Sequence, residues 1–499
     1  MTSRLSCTTC RGQKRRCSRE LPSCELCRKN KRRCEYPPDS PSMAPESGHV
    51  FSPGADVRSP FPALLFLDSY TFRKQRSQVQ PPEINLPRKF LNRLESADQM
   101  SRVANFYFES VHAFFPIVSK LRTQHNLSRL VVQPSADTVL LLLAMRLVTQ
   151  SRRDETTRSL YELTKKCYSY IEQSNLFTLK LLQSGLLIAL YEIGHAIFPA
   201  AYLTIRNCAN VGHALGVHTR NPSMQILPPA KSWTEHEESR RAWWGVVILD
   251  RYISIGTGSS IFACKNPKPD DLLPVDETSW DQGEPALIQS LAVSASTSIP
   301  ASPFTRTCQA AHLLSRIVRH INDMHDDAPA YYREAKQFHH IISAFDNALS
   351  HELDSISSTA DPILQIKLFT AIALCFSAKI ALYDHYTCAE VDATGGIGTP
   401  EQLGMQQVAL ENIKTTCIAV HTFAQKILLF SLGNDTTFLS PLLCNCLYQA
   451  AMSYTWYIRE TGQTDLHAHL REIVDALRLI GARWGVANEY LKVLENGNF

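Results

Sequence analysis

The stretch "CTTCRGQKRRCSRELPSCELCRKNKRRC", residues 7–34, places six cysteines in 28 residues. Their spacing is C-x2-C-x6-C-x6-C-x2-C-x6-C, two copies of C-x2-C-x6-C joined by six residues. A C-x2-C pair at the start of a helical turn presents two sulfurs to one ion, and the third cysteine arrives one helix later. Metal rather than disulfide chemistry is expected, because the chain reads as intracellular, where thiols stay reduced. The opening residues pass from polar to basic with no apolar signal region. The apolar segment "TVLLLLAMRLVTQ" (138–150) is broken by Arg146, so no membrane-spanning helix is expected. Three thiolates per half cannot complete a tetrahedral zinc site, and residues 1–47 contain no histidine to supply a fourth ligand. The count closes if two zinc ions share two bridging sulfurs.

This pattern resembles the fungal Zn2Cys6 binuclear-cluster transcription factors, and the likeness extends to Arg11, Lys14, Arg16 and Pro22 in the frame C-x2-C-R-x-x-K-x-R-C-x4-P-x-C-x2-C-x6-C. The resemblance implies that Cys7 and Cys24 bridge the two ions and that Cys10, Cys17, Cys27 and Cys34 are terminal ligands. It also implies that the short helix after the second cysteine points its C-terminal end into the major groove and reads a CGG-type triplet. Lys14 matches the base-contacting lysine, whose ammonium can donate to guanine O6 and N7. The preceding position, usually basic in the family, is Gln13 here, which can pair with adenine as well. Arg11, Arg15 and Arg16 are read as phosphate clamps. Gly12 in this short helix costs roughly 1 kcal/mol against Ala, which metal binding offsets.

Charge agrees with a polyanionic partner. Residues 1–34 hold eleven Lys or Arg against Glu20 and Glu25, leaving +9, whereas the whole chain is only +4 and residues 35–499 therefore carry −5. Six thiolates around two dications take the module to about +7, a field suited to double-stranded DNA with steep salt dependence. Lys14–Arg16 and Lys29–Arg33 also form a bipartite nuclear-import pattern. A single-stranded or RNA-binding zinc protein would want aromatic stacking surfaces, and only Tyr36 is at hand.

Past Cys34, "EYPPDSPSMAPESGHVFSPGADVRSPFP" carries seven prolines in 28 residues and reads as an extended linker without a coiled-coil heptad. From about residue 96 the apolar period is helical. Leu182, Leu186, Ala189 and Ile193 share one face, as do Ala242, Val246, Leu249 and Ile253, the latter helix opening with Thr234 and Glu237 in capping-box spacing. Similar periods recur in 306–325, 361–387, 401–431, 438–461 and 466–495. The nine cysteines outside the module (Cys167, Cys208, Cys264, Cys308, Cys375, Cys388, Cys417, Cys444, Cys446) read as small buried apolar residues. The stretches 105–118, 189–218 and 237–260 resemble the family's regulatory middle region, in its order and spacing, with Arg240, Arg241, Asp250 and Arg251 near helix ends or partners.

An enzyme finds no support. His195, His213 and His218 lack an H-E-x-x-H frame, and His213 and His218, five apart, should face different sides of a helix. "GTGSS" (256–260) has no preceding strand and no following G-K-[ST], so it reads as a turn. Asp270, Asp271 and Asp276 lie in a proline-broken loop, and the sequons at Asn126 and Asn434 carry no weight in a nuclear chain.

The expected architecture is a small Zn2Cys6 binuclear zinc module over 1–36, a largely disordered Pro/Ser-rich linker over 37–95 and a large all-α regulatory domain over 96–499. The expected function is a nuclear, zinc-dependent, sequence-specific DNA-binding regulator of RNA polymerase II genes. Its narrower role is control of a metabolic or secondary-metabolite gene cluster. Expected partners are two Zn ions, double-stranded DNA, a second copy of the chain and a small-molecule effector, with no membrane. The alternative is a helical ligand-sensing or scaffold protein in which DNA contact is secondary.

Overall fold

The computed structural model describes residues 6–13, 15–36, 67–74, 82, 84–94, 96–130, 135–150, 155–218, 230–258, 261–284, 290–323, 327–357, 362–387, 399–433, 436–463 and 465–496. The chain divides into two compact units, Met1–Val57 and Arg58–Phe499. The first contains two five-residue helices, α1 (Thr8–Gly12) and α2 (Glu25–Lys29), and its buried core consists of Cys7, Cys10, Cys24 and Cys27. No aliphatic side chain is buried there among the described residues, so an apolar core cannot hold this unit together.

Among its described residues the second unit is built from helices. After α3 (Ser69–Lys74) and α4 (Arg88–Leu91) come α5 (Ala97–Glu109), α6 (Lys120–Leu130), α7 (Ala136–Val148), α8 (Glu155–Gln173), α9 (Leu179–Gly194), α10 (Ala200–Leu215) and α11 (Trp233–Ser254). The chain continues through α12 (Glu277–Gln282), α13 (Pro303–Asn322), α14 (Ala328–Ser357), α15 (Pro362–Thr387), α16 (Pro400–Ser431), α17 (Cys444–Thr461), α18 (Leu466–Gly481) and α19 (Gly485–Asn496). The sole strand-type pairing among the described residues is an isolated bridge between Leu272 and Ala292. A zinc-cluster module followed by a large all-α unit is thus the architecture.

Local chemistry sets the helix ends. The side chains of Ser96, Thr178, Ser302 and Thr399 each accept from the backbone N–H three residues on, and Pro303 and Pro400 follow the last two caps, where a missing N–H costs nothing. α11 departs from the expected capping box: Ser232 caps it, accepting from Glu235 N–H, two residues before Thr234. Glu237 is drawn elsewhere. Its carboxylate accepts from Arg241 Nε at 2.9 Å, from Arg240 Nη1 at 2.6 Å and from the Val275 N–H at 2.9 Å.

The core runs continuously from Phe90 to Leu491. Around it α9 packs on α7, α10 and α11, while α15 packs on α13, α14, α16 and α17. Leu182, Leu186, Ala189, Ile193, Ala242, Val246 and Leu249 are buried as their periods predict, and Ile253 is half-buried. Helix α14, thirty residues long, was not among the expected periods, and the period expected over 466–495 is two helices broken at 482–484. Packing also reaches upstream of residue 96: Phe90 and Leu94 are buried, and Phe90 lies 6.1 Å from the Tyr170 ring.

The segment most like a membrane span is not 138–150 but Ile363–Thr387 in α15, which is long and apolar enough to cross a bilayer, with 78% of its apolar window buried. That burial is what a central helix of a bundle requires, since it has neighbours on every side. Eight of the nine cysteines outside the module are buried; Cys388 lies outside the described residues.

Candidate metal centre

The two halves of the module repeat one local device. Cys24 is the N-cap of α2, its sulfur accepting from Cys27 N–H at 3.4 Å, and Cys7 stands in the same place before α1, accepting from Cys10 N–H at 3.4 Å. Helix geometry therefore turns each C-x2-C pair inward. Two sets of four thiols result, each with its sulfurs within 4.8 Å of one another: Cys7, Cys10, Cys17 and Cys24, and Cys7, Cys24, Cys27 and Cys34. The sets share Cys7 and Cys24.

The donor set fits zinc. Tetrahedral coordination with Zn–S near 2.3 Å puts ligand sulfurs about 3.8 Å apart. The Cys7–Cys24, Cys7–Cys27 and Cys10–Cys24 separations are 3.8, 3.7 and 3.6 Å, and Cys10–Cys27, one thiol from each set, is 3.8 Å. Burial and the crowding of neighbouring thiols raise the Cys10 pKa far above the ordinary range and push Cys27 up to about 12. Burial opposes ionisation of Cys17 and Cys34 as well, but hydrogen bonds from the Cys7 and Arg19 backbone hold Cys17 at about 6, and one from the Cys24 backbone holds Cys34 at about 7. Bare thiols packed this closely cannot all ionise, whereas a shared dication makes every thiolate favourable.

The rest of the module ties its ends to this core. Thr8 N–H donates to Glu35 O at 2.9 Å, Thr9 Oγ1 to Arg33 O at 2.7 Å and Tyr36 OH to Glu20 O at 2.7 Å. Tyr36 is half-buried with its hydroxyl engaged by Glu20 O. The Leu21–Pro22 peptide is cis.

Of the residues expected to meet DNA, Gln13, Arg15 and Arg16 are exposed at the end of α1. Lys14 and the side chain of Arg11 lie outside the described residues. Gln13 Oε1 accepts from Arg32 Nη1 at 2.6 Å, a contact between the two halves of the module that spacing alone did not show.

Residues weighed for catalysis serve packing instead. His213 and His218 do not face apart: Gly216 ends α10 at φ 78°, the chain turns back, and the two rings lie 4.8 Å from each other, both against Trp243. His195 lies between Tyr191 and Trp484. Asp276 caps α12, Asp271 accepts from Lys268 N–H at 2.7 Å, and 259–260 and Asn434 lie outside the described residues, as does the side chain of Asn126. Arg241 is wholly buried, donating to Glu237 and to Val275 O at 2.6 Å, with its guanidinium 4.3 Å from the Trp280 ring centre. Arg251 is equally buried, paired with Asp250 and donating to Ser315 Oγ at 3.1 Å.

Residues 5–42 match the family model of the fungal Zn(2)-Cys(6) binuclear cluster domain, and residues 104–377, over half the chain, match that of the fungal specific transcription factor domain. Among curated proteins, the chain is 35% identical over 179 residues to the transcription factor BOA15 of Botryotinia fuckeliana, covering 36% of this chain and 98% of that one. It is 23% identical over 417 residues to the pigment biosynthesis transcriptional activator pigB of Monascus ruber, covering 78% and 70% of the two chains. It is 28% identical over 234 residues to the depudecin biosynthesis cluster-specific transcription activator DEP6 of Alternaria brassicicola, covering 42% and 34%. No solved structure matches the chain.

Proposed function

We propose that this chain, which belongs to the family of fungal Zn2Cys6 transcription factors, is a nuclear regulator that reads CGG-like triplets upstream of RNA polymerase II genes, those genes forming a secondary-metabolite cluster. The family and the relatives are transcription factors, not enzymes, and the module is a zinc-binding cluster. Cluster control is carried over from the names of relatives that serve pigment and depudecin biosynthesis.

The observation that carries the reading is the pair of four-thiol sets sharing Cys7 and Cys24. It supports two zinc ions per chain, bridged by Cys7 and Cys24 and closed by Cys10, Cys17, Cys27 and Cys34. Metal supplies the fold of the module; the chain's own residues then meet the DNA. Arg11, Arg15 and Arg16 neutralise phosphates, and Lys14 donates to guanine O6 and N7. Gln13 belongs with Lys14. Its Oε1 is already engaged by Arg32, so it offers the base chiefly its NH2 donors, which suits guanine acceptors better than the donor–acceptor pair of adenine. The helical unit governs activity, dimerisation or effector response.

Selection of bound sequences from a random duplex library, with the zinc-loaded full chain at physiological salt, tests the proposal. Enrichment of CGG-like triplets is expected, two at fixed separation if the chain acts as a dimer; recovery without any triplet overturns it. Lys14→Ala should cost about 1–3 kcal/mol on the selected site and relax its sequence preference, whereas Arg15→Ala should weaken all sequences alike and reduce the salt slope by about one. Equal losses on target and random DNA for both variants would refute the division of roles.

A further inference from the structure

Beyond the zinc module, the helical unit contains two neighbouring guanidiniums with no ion-pair partner among the described residues. One turn apart on α13, Arg316 and Arg319 line a cavity of about 510 Å³ with His312 and His320 from the same helix, Asn266, Pro267 and Pro269 from the preceding loop, and Glu334 and Phe338 from α14. That volume lies within the range of small-molecule sites. Three buried arginines in this unit have carboxylate partners: Arg241 has Glu237, Arg251 has Asp250 and Arg306 has Glu352. Arg316 and Arg319 have none among the described residues. Arg316 lies over the Phe338 ring at 4.9 Å, and Arg319 is 5.9 Å from the Phe262 ring centre.

Two carboxylates, Glu334 and Asp323, also line this cavity. Glu334 is held by His320 Nδ1 at 2.8 Å, and the other nitrogen of His320 meets Tyr386 OH at 2.7 Å. Asp323 closes the rim at the end of α13, and among the described residues neither carboxylate makes an ion pair with Arg316 or Arg319. A third polar group is idle. His312 makes no hydrogen bond among the described residues, and its Nδ1 is buried without a partner. A buried N–H without an acceptor is rarer than a buried bare lone pair. The favoured tautomer is therefore protonated on Nε2, which makes that edge of the ring a donor. Burial, with Arg316 and Arg251 nearby, holds the His312 pKa down at about 4, so the ring is neutral.

We propose that this cavity binds a small organic carboxylate, with the Arg316 and Arg319 guanidiniums gripping the carboxylate, His312 donating a hydrogen bond and Phe338, Pro267 and Pro269 receiving the apolar body. The planar guanidinium fork matches a carboxylate, and the flat apolar wall suits an aromatic or branched acid better than a bare inorganic anion. A wider groove of about 1160 Å³ between the 274–303 segment and α14 and α15 lacks this signature, since its Glu352 is already tied to Arg306. The assignment does not depend on DNA recognition.

Thermal unfolding of the zinc-loaded full chain, with benzoate, phosphate and chloride at matched ionic strength, tests it. A saturable rise in Tm with benzoate is expected, with none for chloride and a weaker one for phosphate. R316Q/R319Q should raise the half-saturating benzoate concentration at least tenfold. R319Q alone, at an exposed side chain, should raise it about threefold and serves if the double variant unfolds. No saturable rise, phosphate equal to benzoate, or an unchanged midpoint in R319Q each overturns the proposal. DNA binding measured on the same preparation tells failure of this site apart from failure of the regulator reading.

Discussion

Between Cys7 and Cys34 the buried side chains among the described residues are four thiols, whereas between Phe90 and Leu491 a continuous apolar core is enclosed by the helices from α4 to α19. The first unit has too little apolar surface to offset the entropy of ordering its chain, so its fold must come from metal ligation. The second offsets that entropy by burial alone. One chain thus joins a unit whose stability follows zinc and thiolate chemistry to one whose stability follows packing.

The largest test of this contrast is removal of zinc. A strong chelator should unfold the module outright, since zinc binding to such sites is worth about 10–16 kcal/mol, while the melting of the helical unit stays in place. Amide exchange over residues 6–36 against that over α9 and α15 reads the two separately; loss of protection in α15 would break the contrast. Within the module, Cys7→Ser should abolish both metal sites and Cys17→Ser only one, measured as zinc per chain. Equal zinc content in the two variants would remove the distinction between shared and unshared thiols.

The helical unit should respond to different changes. Glu237→Gln leaves the buried Arg241 without its counter-charge and should cost about 3–5 kcal/mol, seen as a lower Tm with zinc content unchanged. Gly194→Ala places a methyl group against the indole of Trp484, where the close approach allows no Cβ, and should cost about 1–3 kcal/mol. The smallest effect belongs to the module surface: Arg33 and Glu35 pair at 2.6 Å with both side chains largely exposed, so Glu35→Gln should change stability by about 0–1 kcal/mol.

The same contrast governs how much of each unit is legible in the amino-acid sequence. In the module every ligand lies within 28 residues, and the count of six cysteines already calls for two shared sulfurs, while the choice of Cys7 and Cys24 as the shared pair comes from the family resemblance and matches the two sets of sulfurs. In the helical unit, the apolar period reveals α9 and α11, but not that α9 is buried on every side from Leu181 to Gly194 and α11 from Trp244 to Tyr252. α14 has its own one-sided period, Ala335, Phe338, Ile342, Phe345, Leu349 and Leu353, outside the expected ones, and the cap of α11 differs because Glu237 is taken by Arg241 and Val275, partners chosen by tertiary packing. His213 and His218 are expected on different sides of a helix because that expectation continues the helix past Gly216, the glycine at φ 78° that ends it between them. The cavity beside Arg316 and Arg319 needs α13, α14 and the loop at 266–269 at once, and no window of sequence contains all three.

Trp484 illustrates a further consequence of distance along the chain. Its indole lies on Gly194 and donates to Leu439 O at 2.7 Å, while neighbouring Arg483 donates to Val148 O at 3.1 Å, a partner 335 residues earlier. During synthesis the zinc module leaves the ribosome with all its ligands and can close at once, but helices α7 and α9 must wait for nearly the whole chain before their last neighbour arrives. A ribosome that stopped short of residue 483 would release a product with its metal-binding end complete and its helical unit unclosed. Such a product would be a substrate for chaperones and proteases rather than a smaller working regulator.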